Sequence, residues 1–120
     1  MLDVEEVDSV SLPVHQVKAE LFRTLGHPVR IRVLDLLQDG PRPVRDLLAL
    51  IEVEASSLSQ QLAVLRRAGL VASTRKGSMV IYSLSTPDVA DLLGAARRIL
   101  GAVLSDRDGL LEQLRTGPPS

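Results

Sequence analysis

Between positions 56 and 70 the chain reads Ser56-Ser57-Leu58-Ser59-Gln60-Gln61-Leu62-Ala63-Val64-Leu65-Arg66-Arg67-Ala68-Gly69-Leu70. Wound as a helix at about 100° per residue, this stretch gathers Leu58, Leu62 and Leu65 on one side and turns Ser56, Ser59, Gln60, Ala63 and Arg67 to the other. The outer face holds short hydrogen-bonding groups, a small residue and an arginine, and no acid. A merely solvated helix normally mixes both signs of charge. Hydroxyl and amide side chains can meet base edges in a DNA major groove, and arginine can meet guanine or phosphate. A polar helix face with no partner is the other reading that this segment alone leaves open.

Further groups that could do chemistry are few. Arg75 and Lys76 form a basic pair in a glycine-containing link, and Arg42 and Arg45 flank a short helical pattern; such cations suit phosphate or the minor groove. Arg66 is as well explained by a solvated helix end, favoured by the helix dipole, as by DNA contact, whereas Arg67 faces outward. The chain has no cysteine, so disulfides, thiolate metal sites and thiol redox sensing are excluded. His15 and His27 stand apart in sequence, and a metal site needs several converging ligands. No histidine is placed beside a plausible nucleophile and no glycine loop could cradle a phosphate, so an enzyme is not expected. Gly94 and Gly101 sit at helix-packing spacing instead.

The chain has 120 residues, 45% hydrophobic, 24% charged and 2% aromatic. That is the composition of one globular domain with an aliphatic, mostly helical core, and it speaks against stacking on single-stranded nucleic acid. The net charge of −1 conceals an uneven distribution. Residues 1–14 carry four acids and no base, whereas residues 27–82 carry eight Lys/Arg against five Asp/Glu. The middle is weakly basic, as a DNA-facing surface requires. No basic-then-apolar leader opens the chain and no apolar run nears about 18 residues, so a cytoplasmic protein without membrane association is expected.

Residues 1–12 read as a flexible acidic arm, residues 13–116 as the folded domain, and residues 117–120 as a tail. Within the domain, Val14, Val17, Leu21 and Leu25 mark a first helix from about Pro13, ended by Gly26-His27-Pro28. Pro28 opens a second helix with a Val29, Val33, Leu36, Leu37 stripe, closed at Gly40-Pro41. A third starts at Pro43 with Val44, Leu47, Leu48 and Ile51. Glu52-Val53-Glu54-Ala55 turns into the opening stretch, where Ser56 is the expected cap; short helix, tight turn and polar-faced helix make a helix-turn-helix. Leu70–Thr74 and Met79–Leu84 form two strands of a hairpin joined by Arg75-Lys76-Gly77-Ser78, a wing. Ser85-Thr86-Pro87-Asp88 caps a long last helix with Val89, Leu92, Leu93, Ala96, Leu100 and Val103, which either breaks near Ser105 or continues through Gly109.

This order and these residues resemble the ArsR/SmtB family of winged-helix repressors over about residues 17–104. The resemblance is carried by Phe22-Arg23-Thr24-Leu25-Gly26-His27-Pro28-Val29-Arg30, by Leu58-Ser59-Gln60-Gln61-Leu62 through Gly69-Leu70-Val71, and by Tyr82-Ser83-Leu84. It implies a mainly α winged helix-turn-helix with a two-stranded β wing, dimeric through its first and last helices. It implies a homodimeric repressor on a double-stranded, inverted-repeat operator. The contacts implied are those of Ser56, Ser57, Ser59, Gln60 and Gln61, where many members carry histidine at the last position. Arg67, Arg75, Lys76, Arg42 and Arg45 complete the expected DNA-binding set. Val14, Val17, Leu21, Leu92, Ala96, Ile99, Leu100 and Val103 are the expected dimer interface, because a chain of this size cannot bury both long stripes itself.

Metal-sensing members use cysteines on the third helix or Asp/His pairs on the last. Here the third helix reads Pro43-Val44-Arg45-Asp46-Leu47-Leu48, and Asp88 and Asp91 are followed by Ile99, Leu100, Ala102 and Val103 where partner ligands would stand. Two carboxylates without imidazole or thiolate make a poor transition-metal site, so no metal and no cofactor is expected. Release from DNA is left to an unidentified small-molecule or protein effector, or to abundance. A protein-interaction module that keeps the fold without reading DNA is the alternative, and it would show no sequence preference.

Overall fold

The computed structural model describes residues 4–116, with side chains described for 12–109 and for 111, 112, 114 and 115. Five helices and a small sheet follow in the order α1 (Val4–Leu25), α2 (Pro28–Leu37), β1 (Arg42–Pro43), α3 (Val44–Leu50), α4 (Ala55–Arg67), β2 (Val71–Lys76), β3 (Met79–Leu84) and α5 (Pro87–Thr116). The core is aliphatic apart from Tyr82. Val33, Leu34, Leu47, Leu58 and Leu65 are fully enclosed, and Leu25, Leu37, Ile51, Leu62, Leu70, Val71, Val89 and Leu93 close around them. On α2 the buried residues are Val33, Leu34 and Leu37, with Val29 and Leu36 only partly buried. The expected stripe is therefore shifted, because α2 packs against α1, α4, α5 and β3 rather than along one face.

Local signals explain most boundaries. The His27 imidazole caps α2 by accepting from the Val29 backbone N–H at 3.2 Å, and Pro28 fills the first helical position, where an N–H would lack a partner anyway. His27→Ala is therefore expected to lower stability by about 1 kcal/mol in urea unfolding, with His27→Asn recovering most of it. At the other end of the helix-turn-helix, Gly69 takes φ +79°. Its N–H donates to the Arg66 carbonyl and that of Leu70 to the Leu65 carbonyl, both at 3.0 Å, with Leu70 buried beside Leu65. This pair of bonds ends α4 as a Schellman turn. Ser85 then pins the exit of the wing to that turn, its Oγ donating to the Gly69 carbonyl at 2.6 Å. Thr86 caps α5, its Oγ1 accepting from the Asp88 N–H at 3.2 Å.

Several expectations need correction. Helix α1 begins at Val4 and runs through Pro13 instead of starting there. Proline forfeits one hydrogen bond in a helix interior, yet its fixed φ is itself helical. The segment read as an arm is thus helical from Val4, and its first three residues, like the tail from Gly117, lie outside the described residues. Of the two courses open to the last helix, a break near Ser105 or continuation through Gly109, continuation holds: α5 runs unbroken to Thr116. The sheet has three strands, in the order β1-β3-β2, because Arg42 and Pro43 pair antiparallel with Tyr82 and Ile81. A residue before proline is pushed out of the α region, which extends Arg42 and leaves α3 to start at Val44, not Pro43. Finally, Arg75 and Lys76 are not turn residues. They extend β2 opposite Val80 and Met79, and Gly77-Ser78 alone makes the turn. Gly77 supplies the positive φ, +62°, that a two-residue hairpin turn demands at its first position.

Candidate nucleic-acid interface

Helix α4 is held by Leu58, Leu62 and Leu65, each 2% exposed or less, so its opposite face is fixed outward. Ser56, Ser59, Gln60 and Arg67 are exposed on that face, with Ser57, Gln61 and Ala63 half-buried at its edges. Ser56 does not cap the helix. Glu54 occupies the cap position without a side-chain hydrogen bond, and the Leu58 N–H closes the first turn on the Glu54 carbonyl at 3.0 Å. Ser56 therefore lies within the first turn, where no hydrogen bond from its hydroxyl is found among the described residues.

Helix α3 and the wing converge beside α4. A cleft of about 480 Å³ lies between α3, α4 and the wing, walled by Arg45, Ser59, Ser78, Met79 and Tyr82. Arg45 stands on α3 with its side chain 74% exposed and its Nε 4.0 Å from the Asp46 carboxylate. On the wing, Arg75 and Lys76 are exposed, and the pleat turns successive side chains to opposite faces of the ribbon. The two cations thus bracket the hairpin tip.

Arg42 is placed differently from Arg45. Its Nε donates to the Leu36 carbonyl at 2.9 Å and its guanidinium lies 4.0 Å from the Asp39 carboxylate, so it ties β1 to the end of α2. Gln61 is also engaged within the protomer, through a residue that sequence reasoning did not single out. Arg30 on α2 donates from Nε to Gln61 Oε1 at 2.7 Å and from Nη1 to the Thr24 carbonyl at 3.2 Å. No local pattern signals a contact between residues 31 positions apart.

The expected interface residues of the long helices are largely uncovered in one protomer. Val14 is 52% exposed, Val17 71%, Ile99 67%, Leu100 56% and Val103 48%. Ala96 is exposed, whereas Leu21 and Leu92 are half-buried against the core. Among the described residues, no group of three or more His, Cys, Asp or Glu converges as a metal site, and no helix is long and apolar enough to cross a membrane.

Comparison with known proteins agrees with this geometry. Residues 27–73 match the model of the bacterial regulatory protein, arsR family. The HTH-type transcriptional regulator Rv0081 of Mycobacterium tuberculosis is 54% identical over 108 residues, covering 89% of this chain and 95% of the relative. Its crystal structure superposes with a TM-score of 0.76, covering 79% of this chain and 96% of that one. The biofilm growth-associated repressor of Agrobacterium fabrum is 33% identical over 101 residues, covering 81% of this chain and 86% of the relative. The homodimeric winged helix-turn-helix DNA-binding domain of Mb0332 from Mycobacterium bovis is 25% identical, with a TM-score of 0.72 over 80% of this chain and 89% of that one. An outward polar helix, a basic wing and this kinship together place the chain in the arsR family of bacterial regulatory proteins, as a winged helix-turn-helix DNA-binding transcriptional regulator and not an enzyme.

Proposed function

We propose that the protein is a cytoplasmic homodimeric repressor that binds an inverted-repeat operator without a metal. The observation that carries this is the division of the surface. The apolar residues left uncovered on α1 and α5 lie on the two helices that extend from the domain, while the polar face of α4 and the basic wing remain free. Exposed apolar stripes of that extent call for a partner, and an isologous pairing through α1 and α5 presents two copies of α4 to DNA. Two-fold symmetry then sets half-sites about one helical turn apart. Kinship with a repressor and with a homodimeric DNA-binding domain supports the same assignment.

In this assembly Ser56, Ser57, Ser59 and Gln60 meet base edges and nearby phosphates, with Gln61 at the margin. Arg67, Arg45, Arg75 and Lys76 supply phosphate or minor-groove contacts, and Arg42 adds its charge to the field while bracing the α2–β1 turn. Metal independence follows from the donor chemistry. Asp88 lies in the first turn of α5, where a carboxylate complements the helix dipole, and Ile99, Leu100, Ala102 and Val103 offer no ligand atoms. Release is assigned to a small-molecule or protein effector.

Fluorescence anisotropy on the protein's own promoter DNA tests the wing assignment. Arg75→Ala/Lys76→Ala is expected to weaken binding and to flatten the dependence of log K on log salt by about 1 for each phosphate contact removed, roughly two to four per dimer. A parental slope in the double variant sinks the wing assignment.

A further inference from the structure

The Arg30–Gln61 pair joins a residue outside the expected contact set to one within it, and its chemistry restricts what Gln61 can read. A guanidinium carries donors only, so the Gln61 atom 2.7 Å from Arg30 Nε must be the amide oxygen whichever way the amide is first drawn. Arg30 is held in turn by the Thr24 carbonyl at the end of α1, and it is half-buried. The Gln61 amide is thereby fixed at one end. Its nitrogen has no partner among the described residues, and no buried side-chain polar atom is left unsatisfied there, so the nitrogen is the end that reaches solvent. Gln61 follows Ser57 by one turn and adjoins Gln60, at the edge of the outward face nearest α2.

We infer that Arg30 is a positioning residue for base selection: by holding the Gln61 oxygen toward α2 it presents only the amide NH2 to DNA and makes Gln61 a donor-only reader. A free glutamine recognises adenine with both ends of its amide, the oxygen accepting from N6 and the nitrogen donating to N7. With the oxygen turned toward Arg30 and away from the groove, that paired contact is lost. What remains is the amide NH2, a donor for an accepting edge. Guanine, with both O6 and N7, matches it best, whereas adenine N7 and thymine O4 each offer one acceptor beside a donor or a methyl group, and cytosine offers only a donor. The preference at one base pair of each half-site is therefore for guanine, by roughly fivefold for a single contact. This rests on the operator-binding reading proposed above.

The test is selection of operator sequences from a randomised half-site library, read by sequencing, for the full chain and two variants. Gln61→Glu keeps an oxygen for Arg30 and nearly the same shape, but offers no donor; it is expected to lose the guanine preference at that base pair while its thermal unfolding stays near the parent's. Arg30→Met frees the Gln61 oxygen to turn to the groove and is expected to raise adenine at the same position through the restored paired contact. Both variants shifting at one shared position, with the rest of the operator unchanged, establishes the proposal. If either variant keeps the parental base profile, or only weakens binding uniformly across sequences as loss of a phosphate contact or of bracing does, the proposal is overturned although the operator-binding reading stands. A parent chain that selects no sequence at all overturns both.

Discussion

Replacing Leu100 with glutamate is expected to leave the protomer folded and to split the dimer. Leu100 is 56% exposed in one protomer, so the core does not depend on it, and it lies on α5 between Ile99 and Val103, both open to solvent. In a paired interface a carboxylate there is buried without a partner, which is among the most unfavourable changes an apolar contact can suffer. Sedimentation velocity at micromolar concentration is expected to show a monomer for Leu100→Glu and a dimer for Leu100→Met, which preserves volume and apolarity. Operator affinity should fall by two orders of magnitude or more in the glutamate variant, because each half-site is then bound alone without the gain from linkage. A dimeric Leu100→Glu that binds like the parent would place the interface elsewhere than α5.

The second large effect concerns the recognition helix itself. Leu58 has no exposed surface, and beside it on the same helix Ser59 is exposed and lines the cleft facing the wing. Leu58→Ala removes buried methyl groups and leaves a cavity, a change that lowers stability by about 2–5 kcal/mol. For a domain with roughly 5–15 kcal/mol in total, that is a large share, and urea unfolding should show it as an earlier midpoint. Ser59→Ala is expected to shift stability by no more than about 0.5 kcal/mol and to act on DNA binding instead. If the two neighbours exchanged roles, with Ser59→Ala unfolding the domain, the orientation of α4 would be wrong.

What could be read before the structure was known divides along physical lines. The limits of α2, the buried side of α4, the hairpin and the start of α5 were legible because their signals are local. Pro28 and Pro87 sit in first turns, Gly69 and Gly77 take positive φ, and leucines recur at helical spacing. Strand β1 has two residues, too few for any period, and only its pairing with Tyr82 and Ile81 reveals it. Ser56 looked like a cap because serine caps helices well, but the chain had already entered the helix at Ala55. The start of α1 was hidden by acids and by Pro13, although Val7 and Val10 continue the spacing of Val14 and Val17. Contacts across the fold have no local signature at all. Arg42 reads as a DNA-facing cation and Arg30 stands out in no pattern of its own, yet one is held by the Leu36 carbonyl and the other by Thr24 and Gln61.

The placement of Arg30 also bears on how the dimer and the DNA-reading face are joined. It bridges the end of α1, which the proposed dimer uses, to α4, which reads the operator. Ser85 does the same from the other side, linking the start of the α5 segment to the turn that closes α4. Recognition helix and dimer helices are thus tied at the middle of α4 and at the turn that closes it, which suits a regulator whose half-site spacing is set by rigid geometry.

The central claim, a symmetric dimer reading an inverted repeat without metal, is tested most directly by capturing sheared genomic DNA from the source organism on the purified protein and sequencing what is bound. Parallel captures contain zinc, nickel or a chelator. The expected result is enrichment of one inverted repeat with half-sites about one helical turn apart, identical in all conditions. Enrichment of no shared sequence, or loss of the same repeat when either metal is added, would contradict it.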